Sequence, residues 1–129
     1  MDSKKYIDLA KSYVELSNKH ELKLLSLMFE ANATYHSSYF GTFTGVEAIN
    51  KMMVGFFTRF PDVYWDVSSY QLTGDGMVEF TFVMTGTDAA TGELVKRNGL
   101  EQISFSSDGF INHIDVQRSY ETQPTTAVD

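Results

Sequence analysis

A chain of 129 residues with no cysteine has room for one buried core, but it cannot staple that core with disulfides, hold zinc through thiolates or use a thiol nucleophile. Ten Lys and Arg against 17 Asp and Glu give a net charge of −7, which repels the phosphates a nucleic-acid binder must attract. No apolar run approaches the ~18 residues of a membrane span, and residues 1–6 carry no apolar signal core, so a cytoplasmic protein with neither nucleic-acid nor membrane partners is expected.

Tyr6, Leu9, Ala10, Tyr13, Val14 and Ser17 recur at the i, i+3, i+4, i+7 spacing of an amphipathic helix over residues 4–19. Lys4, Lys5, Asp8, Lys11 and Glu15 take its other face. A second, short helix is predicted from Glu21 to Phe29, turning Leu22, Leu25, Met28 and Phe29 inward. Residues 32–44 mix turn formers with aromatics and read as an extended stretch followed by a loop. Thr44, with Glu47 three residues on, has the spacing of a capping box and predicts the start of a third helix. Ile49, Met52, Met53, Phe56, Phe57 and Phe60 follow at helical spacing. Pro61 ends the helix, because the residue before a proline is pushed out of the helical region.

Beyond Pro61 the period falls from 3.6 to 2. Val63, Trp65 and Val67 alternate with Tyr64, Asp66 and Ser68, and Gly74-Asp75-Gly76 marks a turn. Strands are predicted over 77–87, 93–106 and 110–119, separated by turns at 88–92 and 107–109. Residues 120–129 lack apolar periodicity and read as a flexible tail after a single domain spanning 1–119. Helices first and strands afterwards argue an α+β fold. Val78, Phe80, Phe82 and Met84 share one face of their strand, while Met77 and Val83 put apolar groups on the other. A sheet with one wet face alternates more cleanly, so the second face is expected to be covered, by a homodimer partner or by the sheet folding over its own helices.

Glu101 shares a strand face with Ile103 and Phe105, which look inward. A carboxylate on an apolar face is costly unless paired or protonated. Burial would raise its pKa, which suits a general acid or a neutral donor; the bland alternative is a place at the wet rim of the sheet. Tyr13 is either a core tyrosine or a phenol aimed at a pocket. Arg118 follows Ile114 and Val116 on the inner face, where it can bind a substrate carboxylate, pair with Glu101 or cap a pocket mouth. Among the histidines, His20 falls in the connection between helices and is expected in solvent. His36 alternates with Tyr35 and Ser37, and His113 shares a face with Asp115, so both are expected to point away from the pocket face. The three lack metal-ligand spacing, no Walker or dinucleotide-binding loop is present, and neither a metal nor a cofactor is expected. Asn32-Ala33-Thr34 matches a glycosylation sequon, read here as chance.

Three stretches carry a resemblance. The first is Tyr13-Val14-Glu15-Leu16, followed by the second helix and Ala33-Thr34-Tyr35-His36. The second is Gly45-Val46-Glu47-Ala48-Ile49, running to Phe56-Phe57 and Phe60-Pro61-Asp62. The third is Glu101-Gln102-Ile103-Ser104-Phe105, with Asp108-Gly109-Phe110-Ile111 and the final strand. In this order the chain resembles the NTF2-like superfamily, and within it the SnoaL-like and ketosteroid-isomerase-like proteins. The resemblance implies a cone of three N-terminal helices packed on a curved antiparallel sheet, with an apolar pocket for a small hydrophobic ligand. It implies cofactor-free acid–base chemistry, as an isomerase, cyclase or hydrolase, on a small carbonyl or epoxide compound. The alternative is a non-catalytic binding or association module on the same cone. Tyr13 and Glu101 match the tyrosine and the acid that hold an enolate oxygen in ketosteroid isomerases. Tyr35, Ser37, Phe56, Trp65, Phe80, Ile103, Val116 and Arg118 are then the residues expected to contact substrate. Ser37 stands where the resemblance expects a proton-moving carboxylate, which leaves His36, after a local twist, or Glu101 itself as the base.

Overall fold

The computed structural model describes residues 2–118; the predicted tail over 120–129 lies outside the described residues. The first apolar stripe folds as α1 (Ser3–Asn18), which buries Tyr6, Ala10, Tyr13 and Ser17. Asp2 starts it, its Oδ1 accepting from the Lys5 amide at 2.9 Å and satisfying one of the orphan donors of the first turn.

The second helix is shorter than its apolar residues suggest. α2 (Leu22–Ser26) buries only Leu25, and the chain is already extended at Phe29. The cause is a long-range pairing: β1 (Phe29–Ser37) runs parallel to the last strand, β6 (Ile111–Arg118), with Phe29 opposite Ile111. The predicted loop after β1 is a hairpin strand instead. β2 (Gly41–Thr44) folds back antiparallel on β1 and sets Thr44 opposite Thr34.

That pairing takes Thr44 away from the capping box. α3 (Val46–Arg59) has Gly45 at its N-cap and no side-chain cap bond. Gly45 sits at φ 92° while its amide donates to the Ala33 carbonyl oxygen at 2.7 Å, a backbone course that a residue with a Cβ resists. α3 buries Ile49 and Met53 and gives way at Phe60, before Pro61, as expected.

β3 (Tyr64–Gly74), β4 (Met77–Thr87), β5 (Leu94–Phe105) and β6 form an antiparallel ladder, and the order across the sheet is β2-β1-β6-β5-β4-β3. The parallel pair β1–β6 makes the sheet mixed; it is six-stranded, curved and unclosed. α1 packs against β3 and β4, and α3 against β1 and β2. On β4 the expected alternation holds, with Val78, Phe80, Phe82 and Met84 buried. A bulge at Ser69, with φ 63° and a register shift between Ser68 and Gln71, bends β3. Leu25, Ile49, Phe60, Phe80, Ile103 and Ile114 form the innermost core. Each contributes about 1.5–3 kcal/mol by leaving water. Among the described residues no helix is long and apolar enough to cross a membrane.

Candidate functional site

The period of two on β5 puts Arg97, Gly99 and Glu101 on the concave face. Register then chooses their neighbours. Glu101 lies between Phe80 of β4 and Val116 of β6; Gly99 lies between Phe82 and Arg118; Arg97 lies beside Met84. Gly99 is required there, since a Cβ would stand 2.5 Å from Cζ of Phe82 and 2.7 Å from the Gln117 carbonyl oxygen. The missing side chain gives the Phe82 ring its seat over β5.

Tyr13 and Ser17 of α1, Tyr35 and Ser37 of β1, Met53, Phe56 and Phe57 of α3 and Trp65 of β3 face the same space. Together they enclose a cavity with about 70 Å³ open to the centre of a water-sized sphere. That is room for roughly five waters, or for one compact organic group that displaces them. Tyr13, Ser37, Phe80, Met84, Glu101 and Val116 are buried and form its floor. The more exposed side carries Phe40, 40% exposed, with Phe56 stacked on Trp65 at 5.7 Å and edge-on to Phe40 at 5.5 Å.

Glu101 is 6% exposed, and its Oε2 is buried with no hydrogen-bond partner. An ionised carboxylate in that position would lose its hydration without replacement. Burial alone therefore pushes its pKa up to about 8, so the group is a carboxylic acid at neutral pH. The phenols nearby are shifted in the same sense. Tyr13 is raised well above the usual phenol range, first by burial, then by Tyr35 and by the Glu101 charge; a hydrogen bond with Ser17 opposes the rise. Tyr35 is raised by burial and then by Glu101. Both are O–H donors at any physiological pH. Tyr70, outside the cavity wall and packed on Phe80 at 5.2 Å, is pushed up to about 12 by burial and by the Glu101 charge.

Of the residues named from sequence, Tyr13, Glu101, Tyr35, Ser37, Phe56, Trp65, Phe80 and Val116 come together in the cavity wall. Ile103 does not: two residues along β5 from Glu101, it is 0% exposed in the core. Arg118 stands behind the wall with its guanidinium carbon 4.3 Å from the centre of the Tyr39 ring, and it makes no ion pair with Glu101. Ser37 Oγ accepts from the Tyr39 amide at 3.0 Å and helps to turn the chain toward β2. Glu101 is the one carboxyl among the lining residues. His36 is exposed beside Thr42, and His113 lies against Thr34 Oγ1, both away from the cavity as the alternation predicts. His20 is not solvated as expected. It is half-buried, stacked on Phe57 at 4.3 Å, with Nε2 3.1 Å from the Val63 carbonyl oxygen. Sequence reasoning missed Arg97, although an even count back from Glu101 finds it on the same face. It also missed Phe82 and Met84 as wall residues, although they share a face with Phe80.

Three helices packed on a curved, unclosed mixed sheet define the NTF2-like class of α+β fold. The family model of the SnoaL-like domain matches residues 10–114, and the chain belongs to that family. No curated protein matches it in sequence. Among solved structures it is similar to the epoxide hydrolase/cyclase-like enzyme SalBIII of pyran ring formation in the polyether salinomycin, with a TM-score of 0.83 at 18% identity over 93% of this chain and 95% of that one. It is similar to a protein of ketosteroid isomerase-like fold from Catenulispora acidiphila, in complex with trimethylamine, with a TM-score of 0.77 at 16% identity over 87% and 85% of the two chains. An NTF2-like protein of unknown function from Exiguobacterium matches with a TM-score of 0.71 at 16% identity over 91% and 97%. At these identities the likeness is one of fold.

Proposed function

We propose that the cavity binds a small, largely apolar organic molecule and that Glu101 acts on it by proton transfer, without a cofactor, opening an epoxide in a cyclase or hydrolase reaction. The observation that carries this reading is the buried carboxyl of Glu101, whose Oε2 has no hydrogen-bond partner. The neutral acid gives its proton to the epoxide oxygen as the C–O bond breaks. Its conjugate carboxylate then takes the proton released by the nucleophile, a water or a hydroxyl of the substrate itself. Tyr13 and Tyr35 share the charge that develops on oxygen. One carboxyl serves as acid and then as base, which suits a cavity where Ser37 replaces a second carboxylate and its oxygen is engaged by the Tyr39 amide. The similarity to an epoxide hydrolase/cyclase-like enzyme supports the same reaction class. Isomerisation of a carbonyl compound is the related use of the same acid.

The test is turnover of a panel of small cyclic epoxides and ketones by wild type, Glu101→Gln and Tyr13→Phe. Loss of a proton-transferring group costs about 10²–10⁴ in rate. Glu101→Gln is expected to fall in that range and Tyr13→Phe to lose less. Unchanged turnover in both contradicts the assignment. The serine at position 37 favours a second reading, a binding module, which expects wild type to bind members of the panel and convert none.

Half-buried Met77, Val83 and Leu100 on the far face of the sheet support a homodimer through that face. Light scattering is expected to give the mass of two chains, and a monomer at micromolar concentration contradicts it. The net charge of −7 supports the absence of nucleic-acid partners.

A further inference from the structure

β3 stands at the edge of the sheet, last in the order β2-β1-β6-β5-β4-β3, so no strand pairs with the backbone groups on its outer side. At Trp65 a side chain takes a strand's place. The Trp65 amide donates to Oδ1 of Asn18 at 2.7 Å, and the Trp65 carbonyl oxygen accepts from Nδ2 of the same side chain at 3.0 Å. Asn18 is the last residue of α1 and is half-buried. Two residues further on, His20 takes φ 56° and brings Nε2 to 3.1 Å from the carbonyl oxygen of Val63. Its ring stacks on Phe57 at 4.3 Å. The end of α1 and the turn after it therefore hold Trp65 by its backbone and back Phe57 by a ring, and both residues line the cavity. Phe57 meets Trp65 edge-on at 6.1 Å, and Phe56 stacks on Trp65 at 5.7 Å. Asn18 itself is not among the lining residues.

We infer that Asn18 is a positioning residue of the cavity: its amide fixes Trp65 and so sets the largest ring the cavity admits. The inference rests on the cavity being a ligand site, as proposed above, and adds what limits the size of the ligand. Asparagine suits the task because one planar amide offers an acceptor and a donor, matched to the N–H and C=O of a single strand residue. Aspartate keeps the acceptor, but its second oxygen would face the Trp65 carbonyl oxygen. Alanine leaves both backbone groups to water. Packed rings alone make a wall that a ligand can push aside. The backbone beneath Trp65 moves outward only if both Asn18 bonds open, and a site keeps its shape when its wall is tied down in this way. Glu101 lies on β5, with β4 between it and β3, so widening the wall at Trp65 leaves the acid where it is.

Trp65 is the chain's only tryptophan and lines the cavity, so its fluorescence reports both occupancy and its own exposure. Titrations with cyclopentanone and cyclooctanone compare a small and a large ring bearing the same carbonyl. Asn18→Ala is expected to raise the affinity for the large ring relative to the small one by about ten-fold, the worth of two more buried methylenes. Asn18→Asp is expected to move the ratio in the same direction by less. Ile111→Val is the control, since it trims a fully buried side chain at the far end of β6 and touches no lining residue's position in β3. A general loosening of the fold would move the ratio in the control as well; a tie at Trp65 would not. Acrylamide quenching of Trp65 without ligand is expected to rise in Asn18→Ala and to stay at the wild-type level in Ile111→Val. A thermal melt verifies that each variant folds, and Asn18→Asp carries the test if Asn18→Ala does not. A ratio that stays at the wild-type value in the folded Asn18 variants overturns the inference, and so does an equal change in Ile111→Val. Either result leaves the cavity standing as a ligand site, whereas a wild type that binds neither ketone overturns that reading and the size limit together.

Discussion

Replacing Glu101 by Gln exchanges a carboxyl for a group of nearly the same shape that does not titrate, and the consequence is a pH-dependent change in stability. The unfolded chain ionises Glu101 near the ordinary value of 4.5, whereas the folded chain holds its proton up to about pH 8. Between those values the unfolded state binds fewer protons, so each pH unit favours unfolding by about 1.4 kcal/mol. The stabilisation is fully present below pH 4.5, is lost as the pH rises, and stops changing once the folded form also ionises. Across pH 5.5 to 8.5 the wild type should lose roughly 3 kcal/mol that the variant keeps. Urea unfolding of both proteins across this range, followed through Trp65 emission, gives the difference, and the other titrating groups cancel in it. The difference is expected to move toward the variant by that amount. A difference that stays flat would mean that Glu101 ionises in the folded protein as it does in water. A cation that holds it charged would leave the difference equally flat above pH 5.5, and that result refutes the reasoning.

Two further substitutions test how the site is built. Gly99→Ala puts a Cβ against the Phe82 ring and the Gln117 carbonyl oxygen, and overpacking of this kind costs about 1–3 kcal/mol. Chemical denaturation should show that loss, together with weaker ligand binding, because Phe82 must shift within the cavity wall. Leu25→Ala empties the one buried position of α2, where the side chain is 0% exposed. It should lower stability by about 2–5 kcal/mol in the same assay, with the pKa of Glu101 unmoved.

Where local chemistry decided the structure, it was legible in the residues. The stripe through Tyr6, Ala10, Tyr13 and Ser17 specifies the buried face of α1, and Pro61 specifies the end of α3. The alternation through Val78, Phe80, Phe82 and Met84 specifies which side of the sheet is core. Glu101 was legible as an inward carboxyl because Ile103 and Phe105 share its face. What escaped was decided by partners distant in the chain. Met28 and Phe29 continue a helical spacing, yet the hydrogen bonds offered by β6 are taken in preference to another helical turn. Thr44 has a good capping position, but pairing with Thr34 claims its backbone first, and Gly45 takes the corner. Ile103 and Arg118 lie on the correct face but at the wrong depth, since period two assigns a side and says nothing of position along it. The stacking of His20 on Phe57 brings the turn between α1 and α2 against α3, a contact no local pattern encodes.

The account turns on a carboxylic acid kept neutral inside an aromatic hollow. The most direct measurement is a carbon-13 NMR titration of the glutamate side-chain carboxyls, with the Glu101 signal assigned by its absence from Glu101→Gln. The account predicts a midpoint for that signal near pH 8. A midpoint near the ordinary 4.5 would contradict it.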